Sequence, residues 1–182
     1  MEIRDTNTDE KLKNGVVGEI MVRPKISFGF MQGYLGMPDK SFEAYRNFWF
    51  HTGDAGFFNK KNQLIFVDRM KDCIRRRGEN ISSYEVEQAF LKIPQIAEAA
   101  AYAVPAKDHG QEDEVMVALM IIKGSKIEYS KWINKVNADL AKFAIPLYLR
   151  VMKSFPKTQT GKIIKHALRT EGITNDTWKN NL

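Results

Sequence analysis

Two stretches hold the residues best suited to chemistry. The first is Phe155-Pro156-Lys157-Thr158-Gln159-Thr160-Gly161-Lys162-Ile163-Ile164-Lys165. Pro156 fixes φ and Gly161 permits φ > 0, so the turn can be tight and defined. Ile163, Ile164, Ala167 and Leu168 have the spacing of one apolar helical face, which places Lys162 at the mouth of a predicted helix. An ammonium held there can reach a carboxylate or phosphate oxygen as a point charge. A lysine after a turn is otherwise simply solvated, the commoner state for this residue type. The turn is not a Walker phosphate loop, because Pro156 and Ile163 stand where that loop needs a glycine and a Ser or Thr. The second stretch is Phe48-Trp49-Phe50-His51-Thr52-Gly53-Asp54. Its apolar side chains predict a buried strand ending at Asp54. A carboxylate at a strand end can accept two hydrogen bonds from a vicinal diol, as acidic residues do in holding a ribose. Asp equally caps its own backbone in turns, and spacing does not separate these readings.

Other chemistries find little support. His51, His109 and His166 are far apart, Cys73 is the single cysteine, and no zinc-ligand spacing or Gly-x-Ser-x-Gly elbow is present. His109 beside Asp108 reads as a polar loop pair. Cys73-Ile74-Arg75-Arg76-Arg77 followed by Gly78-Glu79-Asn80-Ile81 predicts a short basic hairpin. On a strand, Arg75 and Arg77 share one face and Arg76 takes the other, so no continuous basic stripe forms. A nucleic-acid partner is therefore not expected. A stand-alone binding or regulatory module using the Arg75–Arg77 strand is the alternative to an enzyme. Gly78 is a position where a ligand or another backbone could approach closely.

The elements that must position these residues follow from the rest of the chain. Its 182 residues are 43% hydrophobic and 27% charged, enough for one or two small domains. The net charge of +6 suits an anionic ligand such as a nucleotide. One cysteine fits a reducing compartment, and there is neither a membrane-length apolar run nor an apolar signal-peptide core after Met1, so the expected location is cytoplasmic. Glu2 to Pro24 predicts two short strands around a turn, and the glycine-rich aromatic stretch from Phe28 to Gly36 reads as loop. Gly56-Phe57-Phe58 and Leu64-Ile65-Phe66-Val67 flank a polar turn and predict a hairpin. The change to charge at Asp68-Arg69-Met70-Lys71-Asp72 marks a domain boundary. Ser82-Ser83-Tyr84-Glu85 has the form of a capping box, with Val86, Ala89, Phe90 and Ile93 at helical spacing until Pro94. Ile96 to Val104, Val115 to Ile122 and Leu147 to Met152 predict strands. Tyr129, Trp132, Ile133, Val136 and Leu140 predict a second helix. Helices packed on a small sheet make an α+β domain, and the polar tail from Glu171 to Leu182 is expected to be flexible.

In order along the chain, Trp49 to Asp54, Asp68 to Ile74 with Gly78-Glu79-Asn80-Ile81 and Glu85-Val86-Glu87, and Pro156 to Ile163 resemble three motifs of the adenylate-forming (AMP-binding) enzymes. The resemblance covers nearly the whole chain, including Gly18-Glu19-Ile20. Gly78-Glu79-Asn80 and the stretch from Lys142 to Pro146 resemble the acyl-CoA ligase branch, and within it the crotonobetaine/carnitine–CoA ligases. The resemblance implies that Asp54 binds the ribose hydroxyls of ATP and the acyl-adenylate, assisted by Arg69. It implies that Lys71 is the hinge of a mobile lid, and that Gly78, with Glu79 beside it, lies where the pantetheine arm of CoA passes. Lys162 would bridge the carboxylic acid substrate and the α-phosphate. Residues 1–68 would be the end of the large AMP-binding domain and 69–182 the C-terminal lid, with 171–182 flexible. The phosphate loop, adenine and acid pockets and Mg²⁺ ligand of such enzymes have no counterpart in these residues. The expected partner is therefore a missing N-terminal AMP-binding domain. ATP, Mg²⁺ and CoA would serve the full-length enzyme, none of them held tightly by this fragment, which alone is expected to be inactive.

Overall fold

A computed structural model describes residues 1–26, 29–106 and 113–181. Phe28 and the polar loop with the Asp108-His109 pair lie outside the described residues. The chain divides into two units, Met1–Lys71 and Asp72–Leu182.

The first unit is built by local turn chemistry and alternating strands. The Asp5 carboxylate accepts from the N–H groups of Asn7 and Thr8, at 2.8 and 2.9 Å, which turns the chain after β1 (Glu2–Arg4). Strand β2 (Gly18–Val22) pairs antiparallel with β1, placing Ile3 opposite Ile20. The aromatic stretch is irregular over its described residues, 29–36, and a helix follows it. Pro38, whose missing N–H costs nothing at a helix start, opens α1 (Pro38–Ala44). Helix α1 buries none of its residues, and Leu35, Phe42 and Phe48 around it are exposed. Phe48 therefore does not begin a buried strand. Asn47 and Phe48 take positive φ, and β3 starts two residues later (Phe50–Phe58). It runs antiparallel to β2 and to β4 (Leu64–Arg69), giving the order β1-β2-β3-β4. Asn59 closes the β3–β4 hairpin by accepting from the N–H groups of Lys61 and Gln63. Trp49 packs under the guanidinium groups of Arg4 and Arg23, 4.4 and 4.1 Å from its ring centre.

The second unit opens with the hairpin β5 (Ile74–Arg76) and β6 (Glu79–Ile81). Ser82 caps α2 (Ser83–Leu91) by accepting from the Glu85 N–H, and the predicted face Val86, Ala89, Phe90 and Ile93 is buried. Strands β7 (Ile96–Pro105) and β8 (Asp113–Ile121) pair antiparallel. Their runs of Ala, Val, Leu and Met are buried on both faces, which is why they read as continuous rather than alternating. Helix α3 (Tyr129–Val136) buries Trp132, Ile133 and Val136. The chain then returns as β9 (Tyr148–Val151), parallel to β8. Helix α4 (Lys165–Glu171) follows.

The tail is not frayed. Strand β10 (Trp178–Lys179) pairs with β9, and the Trp178 ring stacks on Tyr129 at 5.2 Å between centroids. The order is β10-β9-β8-β7. Trp178 shares the role of fixing the tail with Asp176, which pairs with Arg150 at 3.1 Å, and with Asn180, whose N–H donates to the Leu147 carbonyl at 2.8 Å. The architecture is α+β, as expected.

Candidate functional site

Asp54 does not end a strand; it sits inside one. Along β2 and β3, Glu19 faces Ala55 and Met21 faces His51, so Thr52, Gly53 and Asp54 lie opposite Ile20 alone. This is a bulge, a device that locally re-aims side chains. Gly53 takes φ +70 within it, a conformation that side-chain-bearing residues rarely adopt. Thr52 fastens the bulge by donating from Oγ1 to the Ile20 carbonyl at 2.6 Å and accepting from the Asp54 N–H at 3.1 Å.

On the other side β3 and β4 pair Asp54 with Arg69, and Arg69 Nε lies 2.9 Å from Asp54 Oδ1. Oδ1 is a buried atom that accepts no aligned hydrogen bond, so the contact is an ion pair rather than a well-directed bond. The arginine side chain is 55% exposed. The carboxylate, 29% exposed, thus keeps acceptor capacity for a hydroxyl-bearing ligand, with an exposed guanidinium beside it.

Lys71 is exposed in the turn that closes the first unit, and Asp72 opens the second. Asp72 receives Arg169 of α4 at 3.5 Å. Gly78 and Glu79 lie together at the β5–β6 connection. Arg77 and Gly78 form a two-residue loop with φ +52 and +78, the pattern of a type I′ turn. A Cβ added at Gly78 would meet no atom within 4 Å, so the turn presents bare backbone to open space. Arg75 and Arg77 are exposed, whereas Arg76 is buried. Arg76 Nε lies 2.7 Å from Glu114 Oε2 on β8, and its Nη1 donates to the Phe143 and Ile145 carbonyls at 2.9 and 3.0 Å. Burial pulls the Arg76 pKa below the ordinary arginine value, and Glu114 opposes that pull.

Lys162 is exposed just beyond a tight hairpin. Gly161 donates to the Thr158 carbonyl at 2.9 Å, Thr158 donates to the Lys162 carbonyl at 2.8 Å, and Lys157 pairs with Ile163 as an isolated bridge. Gly161, at φ +82, completes the turn. Helix α4 begins only at Lys165, so Ile163 and Ile164 do not belong to its apolar face, and Leu168 is the buried anchor. Two lysines fix the hairpin from either side. Lys157 pairs with Glu98 of β7 at 2.7 Å, and Lys165 pairs with Glu87 of α2 at 2.7 Å. Among the described residues no cluster of three His, Cys, Asp or Glu is placed to hold a metal ion.

Residues 85–162 match the AMP-binding enzyme C-terminal domain. Over these residues the chain carries an AMP-binding enzyme C-terminal domain. It is 36% identical over 168 residues to the oxalate–CoA ligase of Saccharomyces cerevisiae, a match covering 91% of this chain and 30% of that protein. It is 30% identical over 169 residues to a crotonobetaine/carnitine–CoA ligase of Proteus sp., covering 92% of this chain and 32% of that protein. Among solved structures it is similar to the o-succinylbenzoate CoA synthetase of Bacillus subtilis in complex with its acyl-adenylate intermediate. There the TM-score is 0.79 at 26% identity, over 100% of this chain and 35% of that one. The chain therefore spans about a third of the length of these relatives.

Two residues of this chain escape a motif-level reading. Arg76 hides within a run of charges. Glu19 is an acidic residue on a strand face shared with the fully buried Met21, and such a placement signals a buried partner.

Proposed function

We propose that this chain is the C-terminal part of an ATP-dependent carboxylic acid–CoA ligase. The reaction converts acid and ATP to acyl-adenylate and pyrophosphate, then transfers the acyl group to the CoA thiol as a thioester. Residues 1–68 end the large domain, and 69–182 form the lid, hinged at Lys71. Asp54 carries this reading: its carboxylate is partly exposed, Arg69 stands beside it, and a bulge shapes the backbone on which it rides. The carboxylate accepts from the ribose hydroxyls of ATP, and the nearby guanidinium steadies it. Lys162 holds the acid carboxylate and the α-phosphate together and stabilises the charge that builds on phosphorus. The open backbone at Gly78, with Glu79, lines the path of the CoA arm. Mg²⁺ would serve charge neutralisation on the phosphates from ligands outside these residues. Exposed Leu35, Phe42 and Phe48 suit a surface that the remaining N-terminal domain covers. The related ligases carry the names of different acids at 30–36% identity, so the acid is set by residues outside this chain. A cytoplasmic location is part of the same proposal and rests on the single cysteine. No helix among the described residues is long and apolar enough to cross a membrane.

The 182-residue chain alone is expected to show no acid-dependent ATP–pyrophosphate exchange above background. Exchange by the isolated chain would refute the division of labour. In the full ligase, Gly78→Ala places a Cβ at φ +78, a strain of about 1–2 kcal/mol. We expect thioester formation from supplied acyl-adenylate to slow while pyrophosphate exchange holds. Equal loss in both half-reactions would remove Gly78 from the CoA path. The basic-module alternative is disfavoured by Arg76, which is buried against Glu114 rather than displayed. Duplex or single-strand binding that weakens steeply with salt would restore it.

A further inference from the structure

The carboxylate of Glu19 is buried, with its side chain only 4% exposed, in the strand opposite the Asp54 bulge. Its two oxygens are used differently. Oε2 accepts from His51 Nδ1 at 2.9 Å, with Arg46 at 3.8 Å. Oε1 accepts from the backbone N–H of Gly53 at 3.0 Å, the residue immediately before Asp54. The Gly53 carbonyl in turn accepts from the Met70 N–H at 2.8 Å, directly after Arg69. A bulge leaves strand N–H groups without their ladder partners, and an unmet buried donor is costly. Glu19 supplies the acceptor that the Gly53 N–H has lost. The His51 ring and the Arg46 guanidinium lie beside the other oxygen of the same carboxylate. Asp9 Oδ1 lies 4.0 Å from His51 Nε2, beyond hydrogen-bond reach.

We propose that Glu19 is a positioning residue: its buried carboxylate holds the Gly53 peptide, and with it the bulge that aims Asp54 at the ligand. Glu19 does not touch the nucleotide. This rests on the reading of Asp54 as the ribose acceptor, and the test separates the two. Glu19→Met keeps the volume and removes both acceptors, whereas Glu19→Gln keeps one carbonyl oxygen for the Gly53 N–H.

In the 182-residue chain, amide hydrogen exchange reads the clamp directly. Glu19→Met accelerates Gly53 exchange about tenfold, the value of one lost hydrogen bond, with the Phe57 and Ile65 amides unchanged. Glu19→Gln stays within about threefold of the parent chain. Unchanged Gly53 exchange in the Met variant overturns the proposal. So does loss of protection throughout the first unit in both variants, which would make Glu19 a general folding residue.

In the ligase, Glu19→Met raises KM for ATP about tenfold with a smaller change in kcat, and Glu19→Gln restores most of it. The double variant with Asp54→Ala is no worse than Asp54→Ala alone, as expected for two residues acting as one unit. Additive losses overturn the proposal. If Asp54→Ala leaves the ATP KM unchanged, the ribose reading fails, and the Gly53 amide still decides the clamp.

Discussion

Lys162→Ala in the full ligase is expected to lower pyrophosphate exchange about 10²–10³-fold, the usual cost of removing one preorganised donor from developing charge. The fold should not notice. Lys162 is exposed, and among the described residues its ammonium has no acidic or carbonyl partner; its backbone N–H bonds Thr158 Oγ1 at 3.1 Å. The hairpin is fixed instead by Lys157 to Glu98 and Lys165 to Glu87, both independent of the Lys162 side chain. A surface substitution of this kind shifts stability by no more than about 0.5 kcal/mol. The loss should also be confined to one half-reaction. Thioester formation from supplied acyl-adenylate and CoA needs no bridge between acid and α-phosphate, so it should stay within a few-fold of the parent. Equal loss of both steps, or a shifted melting curve, would mean that Lys162 supports the lid rather than the chemistry.

Arg76→Ala should have the largest effect on stability, and none of it would come from catalysis. Arg76 and Glu114 are both nearly fully buried, and the guanidinium also satisfies the Phe143 and Ile145 carbonyls. Removing the arginine strands a buried carboxylate and two buried acceptors, which costs about 3–5 kcal/mol. That is a large share of what holds a small domain folded. Arg76 also ties the hairpin bearing Gly78 to Glu114 of β8, so partial loss of this contact should loosen that turn first. Urea unfolding followed by fluorescence, with Trp132 and Trp178 reporting the second unit, measures the effect. Arg76→Met paired with Glu114→Leu should recover a good part of it, since neither charge is then buried alone. A single Arg76→Ala change within about 0.5 kcal/mol of the parent would show that the pair is not structurally important.

Much of this arrangement was written in local sequence. Ser82 with Glu85 announced the start of α2, and Asn59 to Asn62 announced the β3–β4 hairpin, whose centre already places Asp54 near Arg69. The apolar runs of β7 and β8 announced buried strands. What stayed hidden depends on contacts between distant segments. At the bulge from Thr52 to Asp54 the Gly53 N–H meets Glu19, over thirty residues earlier, and no local pattern near Asp54 encodes that contact. Ile163 and Ile164 have helical spacing, but the hairpin captures Ile163 as the bridge partner of Lys157 and delays the helix. Trp178 helps turn a polar tail into an edge strand because a stacking partner, Tyr129, waits on α3. The roles proposed for Asp54 and Lys162 rest on motif resemblance. Taken singly, each is an ordinary residue type for a turn.

If this chain works as the last third of an acid–CoA ligase, the native product shows it most directly. Antibody capture against residues 72–182, followed by peptide mapping, identifies what precedes the chain in the cell. We predict peptides upstream of Glu2 that include a Ser/Thr/Gly-rich phosphate loop, on a protein about three times the length of this one, in line with relatives of which this chain covers 30–32%. A native product of 20.9 kDa beginning at Met1 would contradict it.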